Sequence, residues 1–182
     1  GERTYLSLSL GASLLLTQND TRDANGRLLT RSETNDTTTI SYAWAYDARG
    51  RLQRFTRDGV ITEVTYDAVG NRLSVTGGPN PLIATFDADD HLLTQTGATF
   101  TYDTAHRLAS KTTSEGTTTY GYDVFGTLVH VGLPDGRAID YVLDPLGRRI
   151  GKKVDGVLVA GWLYRDQHRP AAELNAAGDV VS

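Results

Sequence analysis

Ile40, Tyr42, Trp44 and Tyr46 alternate with Ser41, Ala43 and Ala45, and the same period of two returns at Val60, Thr62, Val64 and Tyr66 and at Thr118, Tyr120 and Tyr122. Aromatic and β-branched residues alternating with small polar ones describe a strand with one covered face and one wet face. Near the start of the chain Leu6, Leu8 and Leu10 alternate with Ser7 and Ser9. YLSLSLGASLLL (Tyr5 to Leu16) therefore reads as strand rather than as a targeting signal, because no small-residue cleavage site follows it. No segment keeps a helical period beyond a turn or two, and no apolar run approaches the ~20 residues of a membrane span. The pattern predicts an all-β chain.

Each alternating run ends on the same phrase. AYDARGRL (Ala45 to Leu52), TYDAVGNRL (Thr65 to Leu73), TFDADDHL (Thr85 to Leu92), TYDTAHRL (Thr101 to Leu108) and GYDVFGTL (Gly121 to Leu128) share an aromatic residue, Asp and, five or six residues after the Asp, Leu. The carboxylate of such an Asp accepts backbone N–H bonds from two residues on. A Gly three residues later, such as Gly50, Gly70, Gly126 or Gly147, supplies the positive φ of a type I turn closed by a bulge. Each phrase thus predicts a hairpin corner with Tyr46 and Leu52, or Tyr66 and Leu73, on the aromatic side.

The anchoring residues Asp23, Asp47, Asp67, Asp87, Asp103, Asp123 and Asp144 lie 24, 20, 20, 16, 20 and 21 residues apart, with Asp166 as a degenerate further copy and LNAAGDV (Leu174 to Val180) as another. The separation of sixteen predicts one shortened hairpin. A second set of turns falls between the phrases, at Asp58-Gly59, Gly77-Gly78-Pro79, Gly97, Glu115-Gly116, Pro134-Asp135-Gly136 and Asp155-Gly156. Two turns per repeat give about sixteen strands of ordinary length. A single hairpin cannot bury its own aromatic face, so the stability of such an array comes from its neighbours. The expected object is one array over 1–182: a curved, spiralling antiparallel sheet with tyrosines and leucines packed along one dry face.

Composition refines this picture only slightly. The 182 residues, 39% of them hydrophobic, suit one domain with a substantial core. The formal charge of −4 is mild and both signs are interspersed, so nucleic acid is not an expected partner. There is no Cys, hence no disulfide, and no Met even at position 1, as expected of a piece of a longer protein.

The repeated Tyr-Asp-x-x-Gly-Arg-Leu, best kept at Tyr46 to Leu52 and Tyr66 to Leu73 and recurring from about Asp20 onward, resembles the YD repeat of RHS proteins, shared with teneurins and the insecticidal toxin-complex shells. The segment from Trp162 to Ser182 resembles the approach to the RHS core, whose own downstream motifs do not follow. In that family, hairpins of this kind spiral into a hollow β-shell around a C-terminal toxin polypeptide. The resemblance therefore implies an arc of shell wall without catalytic activity or cofactor, from a secreted or cell-surface bacterial protein. Its partners would be the rest of the shell, the enclosed toxin and a secretion apparatus, with glycans as a further class. The sequence departs from the family pattern where Phe86 replaces Tyr, where Asp90-His91 replaces Gly-Arg and where His106 replaces Gly.

Other chemistries are less well supported by the residues. DPxG-type autoproteolysis, known in RHS shells, would use Asp144-Pro145-Leu146-Gly147, yet LDPLGRRI keeps the repeat register and a further strand, KKVDGVLVAGWLY, follows. Asp87 with Asp89 and Asp90, and Asp135 with Asp140, are paired acids at or beside turns. The first group is the best weak ion site, although no D-x-D-x-D-G loop is present. His91, His106, His130 and His168 lack metal-ligand spacing. His91 and His106 take analogous turn positions in successive repeats and could approach each other across one edge of the sheet, but all four read as exposed turn residues, so no metal is expected. Tyr46, Tyr66, Tyr102 and Tyr122 share one register position, as packing residues do. Trp44 and Trp162 are the off-repeat aromatics left to contact a ligand, and an adhesion module binding carbohydrate or a receptor is the alternative function.

Overall fold

A computed structural model describes residues 3–10 and 13–181. The chain divides into two compact units, Gly1–Thr96 and Gly97–Ser182. The first holds β1 (Arg3–Leu10), β2 (Ser13–Arg22), β3 (Leu28–Asn35), β4 (Thr38–Tyr46), β5 (Leu52–Arg57), β6 (Val60–Tyr66), β7 (Arg72–Thr76), β8 (Leu82–Phe86) and β9 (Leu92–Gln95). The second holds β10 (Ala98–Tyr102), β11 (Leu108–Thr113), β12 (Gly116–Tyr122), β13 (Leu128–Gly132), β14 (Ala138–Leu143), β15 (Arg149–Val154), β16 (Val157–Tyr164) and β17 (Pro170–Asn175). Within each unit every strand pairs antiparallel with the next in the chain, so each unit is a meander. The described residues contain no helix, and so none able to cross a membrane.

The turns fall where local chemistry predicts them. The Asp47 N–H donates to the Arg51 carbonyl (2.9 Å), the Gly50 N–H donates to the Asp47 carbonyl (2.9 Å), and Gly50 has φ +80°. The same pair of backbone bonds closes the turns at Asp23, Asp87, Asp103, Asp123 and Asp144. Where Gly is replaced, Asp90 and His106 take up the positive φ themselves (65° and 62°). A register shift precedes the repeat aromatic at Tyr46, Tyr66, Phe86, Tyr102 and Tyr122, which is the bulge that closes each corner. β9 and β10, four and five residues long, make up the shortened part of the array.

Three expectations change. LNAAGDV does form the same corner, with Asn175 in the Asp position, but the copy before it is anchored one residue earlier than expected: Arg165, not Asp166, donates its N–H to Arg169. Arg72, not Leu73, pairs with Tyr66 as Leu52 pairs with Tyr46, because Asn71 fills the position before it. The substantial core is also absent. Among the described residues Val64, Ala84 and Val131 are the buried hydrophobics, and no large side chain is fully buried. The reason is geometric: within each unit a strand touches only its chain neighbours, so a side chain is covered by cross-strand partners alone. The tyrosine face is half-buried rather than dry.

The two faces of the sheet differ. Tyr42, Trp44, Tyr46, Phe55, Val64 and Tyr66 share one side in the first unit. The other side carries hydroxyl pairs across strands: Thr21 with Thr30 (2.6 Å), Thr65 with Ser74 (2.6 Å) and Thr85 with Thr94 (2.7 Å). The second unit repeats this with Thr101 and Ser110 (2.7 Å) and Thr112 and Thr117 (2.9 Å).

Candidate functional site

The chemistry of the chain gathers at the joint between one hairpin and the next. Asp47 Oδ1 accepts the N–H groups of Arg49 and Arg51, both at 2.9 Å, and Asp47 Oδ2 accepts Arg51 Nε at 2.7 Å. Held in this way, the Arg51 guanidinium lies 4.4 Å over the ring of Tyr66 in the next repeat and donates to the Asp67 carbonyl (3.2 Å). Tyr66 donates its hydroxyl back to the Leu52 carbonyl (2.9 Å). A turn aspartate thus aims an arginine, the arginine covers the following tyrosine, and the tyrosine bonds the strand behind it.

The joint recurs. Asp23, Arg27 and Tyr46 are joined by a 2.7 Å ion pair and a 4.7 Å cation–ring contact, with Tyr46 bonded to the Leu28 carbonyl at 2.9 Å. Asp103, Arg107 and Tyr122 follow at 2.8 and 4.8 Å, with the Tyr122 hydroxyl on the Leu108 carbonyl. Asp144, Arg148 and Tyr164 follow at 2.6 and 5.0 Å. Two other joints lose both members at once. Asn71 stands for Arg and Phe86 for Tyr at one, and Thr127 and Leu143 take those places at the other. At Asp87 the fourth residue is His91, whose Nδ1 lies 3.0 Å from Asp87 Oδ2.

These carboxylates are held ionised. In Asp47, Asp87 and Asp103 the backbone N–H four residues on, from Arg51, His91 and Arg107, is the main cause holding the carboxyl below its usual range. Partial burial pushes Asp144 up, but the Arg148 side chain and the turn N–H groups outweigh it. Replacing Arg51 with lysine keeps the charge and removes the planar fork. Thermal or urea unfolding of the variant should show a loss of about 1 kcal/mol, while Arg165→Lys, at an exposed turn, leaves the midpoint unchanged. Equal midpoints for the two variants would contradict the joint.

Trp44 lies within a stack with Tyr42 (5.9 Å) and Phe55 (5.6 Å) in the first unit. Trp162, in the second, lines a shallow groove of about 210 Å³ with Pro170 and Glu173. Both oxygens of Asp144 are committed to the turn, Oδ1 to the N–H groups of Leu146 and Arg148 and Oδ2 to the Arg148 side chain. Asp135 pairs with Arg137 (2.7 Å) and Asp140 with His130 (2.7 Å), so this acid pair is divided between two partners. His130 lies in β13 rather than in a turn. Asp87 Oδ1 takes the N–H groups of Asp89 and His91, and Asp90 Oδ1 takes the Asn71 amide.

Sequence reasoning read the arginine four residues after Asp as part of a motif but gave it no role. It also missed Asp20 and Arg31, an ion pair 2.8 Å apart between β2 and β3. The internal signal for the first was available: arginine is kept at Arg27, Arg51, Arg107 and Arg148, where Tyr46, Tyr66, Tyr122 and Tyr164 follow.

Hairpins joined in series by a side-chain relay define a structural repeat array of the YD type. The Teneurin YD-shell family matches residues 1–179, and the chain belongs to that family. Comparison with curated proteins gives no match. Among solved structures the chain is similar to the crystal structure of TcdB2-TccC3-Cdc42 (18% identity, TM-score 0.61, covering 97% of this chain and 11% of that one). It is also similar to that of TcdB2-TccC3 (18%, 0.62, 94% and 12%) and to the Photorhabdus luminescens Tc holotoxin pore (19%, 0.63, 94% and 11%). At such identities the likeness is one of fold, and the chain spans only about a tenth of the length of those proteins.

Proposed function

We propose that residues 1–182 form a single YD-repeat array within the wall of a larger secreted or cell-surface YD-shell, which encloses a C-terminal polypeptide toxin and has no catalytic role of its own. The observation that carries this reading is the joint. Its aspartate, arginine and tyrosine are spent on linking one hairpin to the next, which is what a wall requires. Family membership over residues 1–179 supports it, as does a fold likeness to toxin-complex proteins several times longer. The adhesion reading has less behind it, since the Trp44 ring is engaged by Tyr42 and Phe55. Self-cleavage at Asp144-Pro145 would need a carboxylate that the turn has already engaged.

Limited proteolysis of the full-length protein tests the wall. A polypeptide C-terminal to the shell should survive protease while the shell is folded and be digested once urea opens it. Digestion at the same rate in both conditions would overturn enclosure.

A further inference from the structure

The turn from Asp123 to Thr127 keeps the receptor half of the joint without its arginine. Its backbone is that of the other corners: the Asp123 N–H donates to the Thr127 carbonyl (3.0 Å) and the Gly126 N–H to the Asp123 carbonyl (3.1 Å). Asp123 Oδ1 accepts the N–H groups of Phe125 (2.9 Å) and Thr127 (2.8 Å), so the carboxylate is aimed as it is at Asp47. In the copies at Asp23, Asp47, Asp103 and Asp144, Oδ2 receives a guanidinium Nε at 2.7, 2.7, 2.8 and 2.6 Å. Here the fourth residue is Thr127, and no side-chain donor among the described residues bonds Oδ2. By register Leu143 stands where the next tyrosine would be, so the far wall of the slot is aliphatic.

The same tip carries the two most exposed large hydrophobics among the described residues, Val124 at 93% and Phe125 at 91% of their full accessibility. A turn has no local need for an apolar pair held in water, and such a pair beside an aimed charge is the makeup of an interface hot spot. We propose that the Asp123–Thr127 tip docks a polypeptide segment that presents an arginine next to an apolar side chain. The arginine completes the joint from outside and the apolar neighbour covers Val124 and Phe125. The chain's own filled copies identify the cation, since each uses the directional Nε of arginine, which lysine lacks. This inference does not depend on what the shell encloses.

The test is a ¹⁵N NMR titration of the 182-residue chain with acetyl-Leu-Arg-amide, using acetyl-Leu-Lys-amide as comparison. The arginine peptide should shift the Asp123–Thr127 amides saturably and at least about threefold more than those of Asp144, Leu146, Gly147 and Arg148, whose slot is filled. The lysine peptide should give less than half the response. Thr127→Arg, supplying the cation from the chain itself, should abolish the response and raise the melting temperature. Phe125→Ser should weaken the response without changing the fold, and it serves as the test variant if Thr127→Arg does not fold. Equal shifts at the two tips, equal responses to the two peptides, or an undiminished response in the variant would overturn the proposal.

Discussion

Replacing Gly77 with alanine should lower stability by about 2–4 kcal/mol, the largest effect of an added methyl among the described glycines. The loop from Gly77 to Pro81 joins β7 to β8 and folds back over β6. A Cβ at Gly77 would collide with the Ile61 carbonyl oxygen, and a Cβ at Gly78 would collide with Thr62 Oγ1. Backbone cannot move aside as a flexible side chain can, so the loop must lift from β6. Gly77 also has φ +67°, which adds a conformational cost for any L side chain. The comparison is Gly59→Ala, where φ is +80° but nothing lies within 4 Å of the added carbon. That variant bears the conformational cost alone, about 1 kcal/mol. Urea unfolding midpoints distinguish the two, and similar losses at both positions would remove the steric argument.

How much of this was legible beforehand depended on the range of the interaction. The corners were readable because an Asp, its N–H donors and a Gly lie within five residues, and the strands because alternation is local. Even the substituted corners followed, since Asp90 and His106 tolerate the conformation Gly would have taken. The role of Arg51 was not readable from its own phrase, because its partners are Tyr66 and the Asp67 carbonyl in the next repeat. Only the joint loss of Arg and Tyr at Asn71 with Phe86, and at Thr127 with Leu143, carried that information. Using Asp as the marker failed at Arg165, because the corner is closed by backbone bonds that ask nothing of the side chain. The missing core was not visible either: period two reports that one face is more covered than the other, and it is the same whether a second layer or only neighbouring side chains on the same sheet provide the cover.

Asp20 shows what such thin cover requires of a charge. Its side chain is 3% exposed, enclosed by Arg31, which binds it through Nε (2.8 Å) and Nη2 (2.9 Å), and by the Gln18 amide (3.1 Å). Asp20→Ala should cost about 2–3 kcal/mol, because Arg31 loses both bonds and its charge partner. The figure sits at the low end for a broken pair because Arg31 remains partly open to water. Asp20→Asn, which keeps the shape and one acceptor, should cost less. The hydrogen bond from Arg31 is the main cause holding the Asp20 carboxyl below its usual range, against the opposing effect of burial. A carboxylate depressed in the folded state contributes stability that is full above its unfolded value near 4 and is lost as pH falls through the lower folded value. Wild-type stability should therefore hold level from pH 7 to about 5 and fall below about 4. The gap between wild type and Asp20→Asn should narrow over the same acid range, because protonation makes the two side chains alike. A gap that stays constant down to pH 2 would mean that the ion pair with Arg31 is not what Asp20 contributes.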